Sequence, residues 1–314
     1  VEDLSDEHFI KTNADDNESV ILNNDPRNYA TKPTISTDDD ILENIKEFVT
    51  ERFTETKISV SMLNNFFECP WKWYFRNFLK LPETKGVSLA LGSAVHSTIE
   101  YILKSSSLPS ESDIKIYLEK QLSDEGVHDK KEHNRLSKDG MAAVNTWISG
   151  YYENLARDRV AERSLTYRDK QFPNLTMYGK IDLTERFPDG TITVTDFKTG
   201  SSKTTGVIEK LDEENRLSGM MRQLAMYSYL IHGSEGNDVM ESRLLFLEED
   251  LKQKNALYRT HITAEHIELL VRDISDYQNL LTSGEWTTRP CYSKPFGKST
   301  ECEYCARIGK ILAK

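Results

Sequence analysis

With 314 residues, 38% hydrophobic and 29% charged, the chain is long enough for one large domain or two modest ones and has the composition of an ordinary globular protein. No apolar run reaches the length of a membrane span, and the opening "VEDLSDEHFIKTNADD" has neither the basic region nor the apolar core of a signal peptide, so neither membrane insertion nor secretion is expected and a cytoplasmic protein is. The net charge of −11 is concentrated: residues 1–55 carry 15 acidic and 5 basic side chains, leaving 36 and 35 beyond them, so the overall acidity does not exclude a nucleic-acid partner.

Residues 1 to about 40 are rich in Asn, Asp and Thr, which predicts a linker or loosely packed arm. A first helix is expected over 40–53, so that 1–55 reads as an acidic leader and 56–314 as the folded domain. From Lys57 the texture changes. The stretch "ISVSMLNNFFECPWKWYFRNFLKLPE" predicts helix on both sides of the Cys69–Pro70 step, with Pro70 suited to the first turn of the second helix. In "LALGSAVHSTIEYILK", Leu91, Val95, Ile99 and Ile102 recur at helical spacing, and His96 and Glu100 share a face four residues apart. Residues 111–158 read as helical. Strands follow over 163–172, 176–187 and 191–198, then a helix over 217–231, strands over 242–247 and 256–262, a helix over 264–281 and a cysteine-bearing tail. That order predicts an α/β fold with a mixed central sheet flanked by helices. Four cysteines in so long a chain make a poor disulfide framework, which leaves free thiols or metal ligands.

Chemistry concentrates in "YGKIDLTERFPDGTITVTDFKTG". Two strands are joined by Pro188-Asp189-Gly190, where Pro suits the first position of a type I turn and Gly the left-handed position of a three-residue hairpin loop. In that register Phe187 faces Thr191, and Asp182 faces Asp196 on one side of the sheet. A two-residue loop would instead send the aspartates to opposite faces. Like charges directly opposite are destabilising, and a divalent cation between the carboxylates supplies a reason for the pair. Lys198 lies two residues beyond Asp196 and points the same way.

Taken together, "CPWKWYF", "LGSAVHSTIE", "YGKIDL", "TDFKTG" and "RQLAMYSYL", in this order over about residues 59–305, make the chain resemble the PD-(D/E)XK nuclease superfamily and its RecB-like branch. The aromatic "CPWKWYFRNFLKLPE" is similar to nuclease modules at the C-terminal end of UvrD/RecB-type helicases. The resemblance implies a restriction-endonuclease-like core and a metal-dependent deoxyribonuclease using Mg²⁺ or Mn²⁺. Its substrate would be single-stranded or frayed DNA, cut in repair or recombination beside a helicase motor. His96, Asp182, Asp196 and the Phe197 carbonyl would hold the metal, with Glu100 a further candidate. Lys198 would orient the attacking water, and Gln223 and Tyr227 would form the Q-x₃-Y element on the next helix. Lys72, Arg76 and Lys80 are candidate DNA contacts, while Trp71, Trp73, Tyr74 and Phe75 suit base stacking or, more commonly, a core.

In the iron–sulfur members of this group one cysteine precedes the nuclease core and three close it. Cys69 stands at the first position, and Cys302 and Cys305 match the closing C-x₂-C. The last expected cysteine is Ile311 here, and Cys291, with ten residues between it and Cys302, offers a substitute. The resemblance favours a 4Fe–4S cluster, zinc accepts the same four ligands, and free thiols are the third reading. "FGKST" at 296–300 ends like a Walker A motif, but Tyr292 stands where its first glycine belongs, so a motor would have to come from elsewhere. Two other functional readings stand beside the nuclease: a catalytically silent DNA-binding module of a helicase–nuclease complex, and a self-standing exonuclease of the CRISPR-associated type.

Overall fold

The structure, a computed structural model, describes residues 38–83, 86–247, 256–295 and 300–312. The acidic arm before Asp38 and most of "FGKST" lie outside the described residues. Helices α1 (Asp38–Arg52), α2 (Val60–Glu68), α3 (Pro70–Trp73), α4 (Val87–Lys104), α5 (Glu111–Asp124) and α6 (Lys130–Tyr151) precede strands β1 (Asp158–Tyr167), β2 (Met177–Arg186) and β3 (Ile192–Lys198). A single helical turn α7 (Thr205–Ile208) and the long α8 (Gly219–Glu235) lead to β4 (Val239–Phe246), β5 (Leu257–Thr260), α9 (Ala264–Ser283) and α10 (Glu303–Leu312). Short polar side chains start five of the helices. Ser59, Ser110, Asp129, Ser218 and Thr263 each accept a first-turn backbone N–H. Pro70 opens α3 at the position where its missing N–H costs nothing. No described helix is long and apolar enough to cross a membrane.

The five strands form one mixed sheet in the order β1-β2-β3-β4-β5, antiparallel except for the β3–β4 pair, whose parallel crossover is α8. Helices cover both faces. On one, α8, α2, α3 and α9 bury Phe66, Trp73, Leu224, Leu230, Ile274 and Trp286 against Ile181, Val194 and Phe246. On the other, α4, α5 and α6 bury Ile99, Leu118, Val144 and Trp147 against Leu183, Phe197 and Leu245. This is the α/β architecture expected from the sequence. Helix α1 docks on the first of these layers: Val49 is buried and Thr50 Oγ1 donates to the Leu281 carbonyl at 2.9 Å.

Two expected elements differ most from the structure. The first strand begins at Asp158 rather than 163 and ends before Asp169, where Phe172 N–H returns to the Asp169 carbonyl in a turn ahead of Pro173. The helical stretch expected over 111–158 breaks between Asp124 and Lys130, where Gly126 takes a left-handed φ of +87°, and stops near Asn154.

The β2–β3 hairpin has the expected register, with Phe187 N–H on the Thr191 carbonyl, Gly190 at φ +86° and Leu183 opposite Thr195. Where Asp182 and Asp196 would pair, the ladder stops. Asp182 Oδ2 accepts the Phe197 N–H at 2.7 Å instead. On the other side of β2, Ala161 pairs with Leu183 and Arg163 with Ile181, leaving Glu162 and Asp182 opposite each other and unpaired. Both strands change phase there: Ile181 and Leu165 serve the α8 layer, Leu183 and Ala161 the α4 layer. The phase change opens the sheet and aims two carboxylates into the gap.

Candidate active site

The gap is roofed by α4, which approaches the end of β3 closely because residue 92 is glycine: a Cβ there would lie 2.9 Å from Thr199 Oγ1. That approach brings His96 Nδ1 to 3.4 Å from Asp182 Oδ1. From below, α8 presents Gln223 and Tyr227 on one face, four residues apart, toward Asp196. Asp196 is almost fully buried. Its Oδ1 accepts Gln223 Nε2 at 2.6 Å and lies 3.0 Å from the Tyr227 hydroxyl, while its Oδ2 is 2.7 Å from Lys198 Nζ. Lys198 also donates to Gln223 Oε1 at 2.6 Å, and Gln223 Nε2 donates to the Tyr227 hydroxyl at 2.7 Å. The four side chains form a closed hydrogen-bonded ring that fixes the carboxylate.

The electrostatics of this ring are strained in one direction. Burial pushes the Asp196 carboxyl up, and the charge of Asp182 adds to it against the opposing pull of Lys198. Burial also raises Glu162, helped by Asp182. For Tyr227, burial followed by the charges of Asp196 and Asp182 drives the hydroxyl well above its ordinary range, so it stays protonated. Burial alone would lower His96, but the hydrogen bond to Asp182 and the charges of Asp182, Asp196 and Glu162 outweigh it and the imidazole is raised. The pocket holds more negative charge than its own cations balance.

Sequence reasoning missed Glu162. Its carboxylate, with one atom each from His96 and Asp182, forms a group whose members all lie within 4.8 Å of one another. It is ion-paired with Lys180 and sits on a backbone of φ +52°, a left-handed conformation rare for a residue with a side chain. The signal that finds it is register: once β1 is aligned to β2, Glu162 falls opposite Asp182. Imidazole nitrogen and carboxylate oxygens in a pocket with surplus negative charge fit a hard divalent cation such as Mg²⁺ or Mn²⁺. Glu100 lines the same cleft one turn beyond His96, with its carboxylate on Lys104 at 2.5 Å. Phe197 contributes its backbone to the gap and buries its ring under α6, 6.0 Å from that of Trp147.

The candidate DNA contacts lie away from the gap. Lys72 pairs with Glu68 at 2.6 Å, Arg76 with Glu83 at 2.8 Å, and Lys80 is exposed. Trp71, Trp73, Tyr74 and Phe75 are buried in an aromatic cluster with Trp286 and Phe78, so their rings are core.

A second constellation closes the domain. Cys69 Sγ lies 3.7 Å from the sulfurs of both Cys302 and Cys305, and Cys291 Sγ lies 3.5 Å from Cys302. Cys69 sits between α2 and α3, while Cys302 and Cys305 flank the first turn of α10. Cys291 is held beside them because Tyr292 N–H bonds the Glu68 carbonyl at 2.7 Å and Arg289 Nη1 the Phe67 carbonyl at 3.2 Å. Ile311 stands 40% exposed outside the group.

A family profile described as the PD-(D/E)XK nuclease superfamily matches residues 57–308. Among solved structures, a candidate exonuclease from Eubacterium rectale superposes with a TM-score of 0.50 at 15% identity, covering 79% of this chain and 93% of its own. A second structure, SSO0001, is matched over 76% of this chain and 86% of its own at 14% identity and a TM-score of 0.35. No curated protein matches the chain significantly.

Proposed function

The chain belongs to the PD-(D/E)XK nuclease superfamily, and from that premise we propose that it is a metal-dependent deoxyribonuclease of the RecB-like kind, acting on single-stranded or frayed DNA ends. The observation that carries this reading is the buried Asp196, locked by Lys198, Gln223 and Tyr227 and faced by Asp182, His96 and Glu162. A silent binding module has no need to keep so costly an arrangement of buried like charges.

His96, Asp182, Asp196 and Glu162 would hold Mg²⁺ or Mn²⁺, which when bound supplies Lewis-acid stabilisation of charge on the phosphodiester. The chain's own residues do the rest. Lys198 projects its ammonium from the rim of the gap and offsets charge growing on the phosphoryl oxygens, beside the place where an attacking water must approach. Gln223 holds Lys198 and Asp196 in one geometry, so that neither must reorganise as the reaction proceeds. Tyr227, kept protonated, fixes Asp196 and ties it to the Lys180 carbonyl, 3.1 Å from its hydroxyl.

The reading extends to context: a cytoplasmic module joined to, or partnered with, a helicase motor in repair or recombination. The fold shared with a candidate exonuclease supports attack at ends. The test is cleavage of labelled single-stranded and duplex DNA with Mg²⁺, Mn²⁺ or EDTA. Metal-dependent shortening of single strands is expected, and no cleavage under any condition would leave a DNA-binding module.

A further inference from the structure

The sulfur atoms of the cysteine constellation stand at a spacing that selects among ligands. Thiolates held about 2.3 Å from a tetrahedral zinc ion lie about 3.8 Å from one another, by the geometry of the tetrahedron. The observed separations are 3.5 Å for Cys291–Cys302 and 3.7 Å for Cys69–Cys302 and Cys69–Cys305, and all four sulfurs fall within 4.8 Å of each other. A four-iron cube carries each thiolate on a different iron at an outer corner, which spreads the sulfurs well past contact distance. The constellation is too tight for a cube and the right size for a single ion.

We propose that Cys69, Cys291, Cys302 and Cys305 form a closed structural zinc site in place of the iron–sulfur cluster that the family resemblance implies. Three further features agree. The expected closing cysteine is absent: Ile311 occupies its place and points to solvent, whereas Cys291 is drawn in from an upstream strap anchored on the Phe67 and Glu68 carbonyls. The Cys302–Cys305 pair forms a turn in which Cys305 N–H donates to Cys302 Sγ at 3.4 Å, a bond that favours thiolate on the sulfur it reaches. The turn lies at the start of α10, whose unpaired N–H groups favour negative charge. Zinc binding displaces the thiol protons to solvent and fills all four positions with protein sulfur, which leaves no open position for catalysis and assigns the ion to holding the chain together. The proposal is independent of the nuclease reading.

The test is metal analysis of the full chain purified anaerobically from cells supplied with both iron and zinc. About one sulfur-bound zinc per chain is expected, with no iron, no acid-labile sulfide and no visible colour. Because the carboxylate gap can also take up zinc, Asp196→Ala is analysed alongside and should keep the sulfur-bound ion. Exchange into Co²⁺ should give the intense visible bands of a tetrahedral thiolate site, and Cys291→Ser should weaken those bands and release zinc to a chromogenic chelator. Cys291→His, which keeps four donors if the serine variant fails to fold, should retain the metal with shifted bands. Iron and sulfide in matching amounts, neither metal in chelator-free protein, or cobalt bands indifferent to both Cys291 variants would each overturn the assignment.

Discussion

Asp196 and Glu162 show how much the gap in the sheet asks of single residues. Asp196→Ala removes the carboxylate at the centre of the ring, and Lys198→Ala removes its cation. Asp196→Ala should abolish metal-dependent cleavage, and Lys198→Ala should lower kcat about 10²–10³-fold, the scale of losing one charge-stabilising donor. Circular dichroism should report a folded protein in both cases, and undiminished cleavage by folded Asp196→Ala would remove this site from consideration. Glu162 separates stability from function. A non-glycine residue at φ +52° costs about 1–2 kcal/mol, which glycine does not. Glu162→Gly should therefore leave the melting temperature unchanged or raised while cleavage falls, and a drop of several degrees would contradict the strain. Of this pair only Asp196 was legible in the sequence. Pro188-Asp189-Gly190 suit a three-residue loop, and in that register counting sets Asp182 opposite Asp196, a register that the ladder keeps as far as Leu183 and Thr195. Glu162 falls just before the strand expected over 163–172, and its meaning depends on pairing with a strand that starts 15 residues later.

Helix α8 depends on an ion network that no periodicity reveals. Asp273, fully buried in α9, accepts Arg216 Nη1 at 2.7 Å and Arg222 Nε at 2.8 Å. Phe67 lies under three guanidinium groups, those of Arg216, Arg289 and Arg222, at 4.2, 4.8 and 5.3 Å from its ring centre. The network ties the chain entering α8 to α2 and α9, and Gln223 follows Arg222 directly. Asp273→Ala removes the carboxylate shared by two buried guanidinium groups, of which Arg216 keeps Glu214 and Asp276 while Arg222 keeps only the Asn64 amide oxygen among the described side-chain hydrogen bonds, and breaking the Arg222 pair costs about 3–5 kcal/mol. The melting temperature should fall accordingly, and thermal denaturation within one degree of wild type would show the network to be dispensable. The helices themselves were readable from apolar spacing, as Val95, Ile99 and Ile102 of α4 illustrate. Their cross-links were not, because Arg216 and Asp273 are 57 residues apart and nothing near either names the other.

At the scale of the molecule, the α-β order of the sequence predicted a mixed sheet between helical layers, and the resemblance to the iron–sulfur members of the family implied that the two ends of the domain meet. What the sequence left open was whether the thiols hold a cluster, a zinc ion or nothing, since spacing along a chain does not report spacing in space. Cys69→Ser should release the bound metal and lower the melting temperature by several degrees, because losing one of four ligands reopens a very long loop. An unchanged melting curve would leave Cys69 as a packing residue. If the module works beside a motor, its turnover should rise when the helicase is supplied in the same assembly, and equal turnover alone would favour the self-standing exonuclease. The clasp also has a mechanical consequence. Cys69 and Cys302 are 233 positions apart but in sulfur contact. Tension applied between α1 and α10, such as a translocating motor pulling on one end while DNA holds the other, would therefore run through the bridged sulfurs. The sheet and its carboxylate gap would lie off that load path. A metal-loaded protein should then keep its cutting geometry under forces that unravel the chelated one strand by strand.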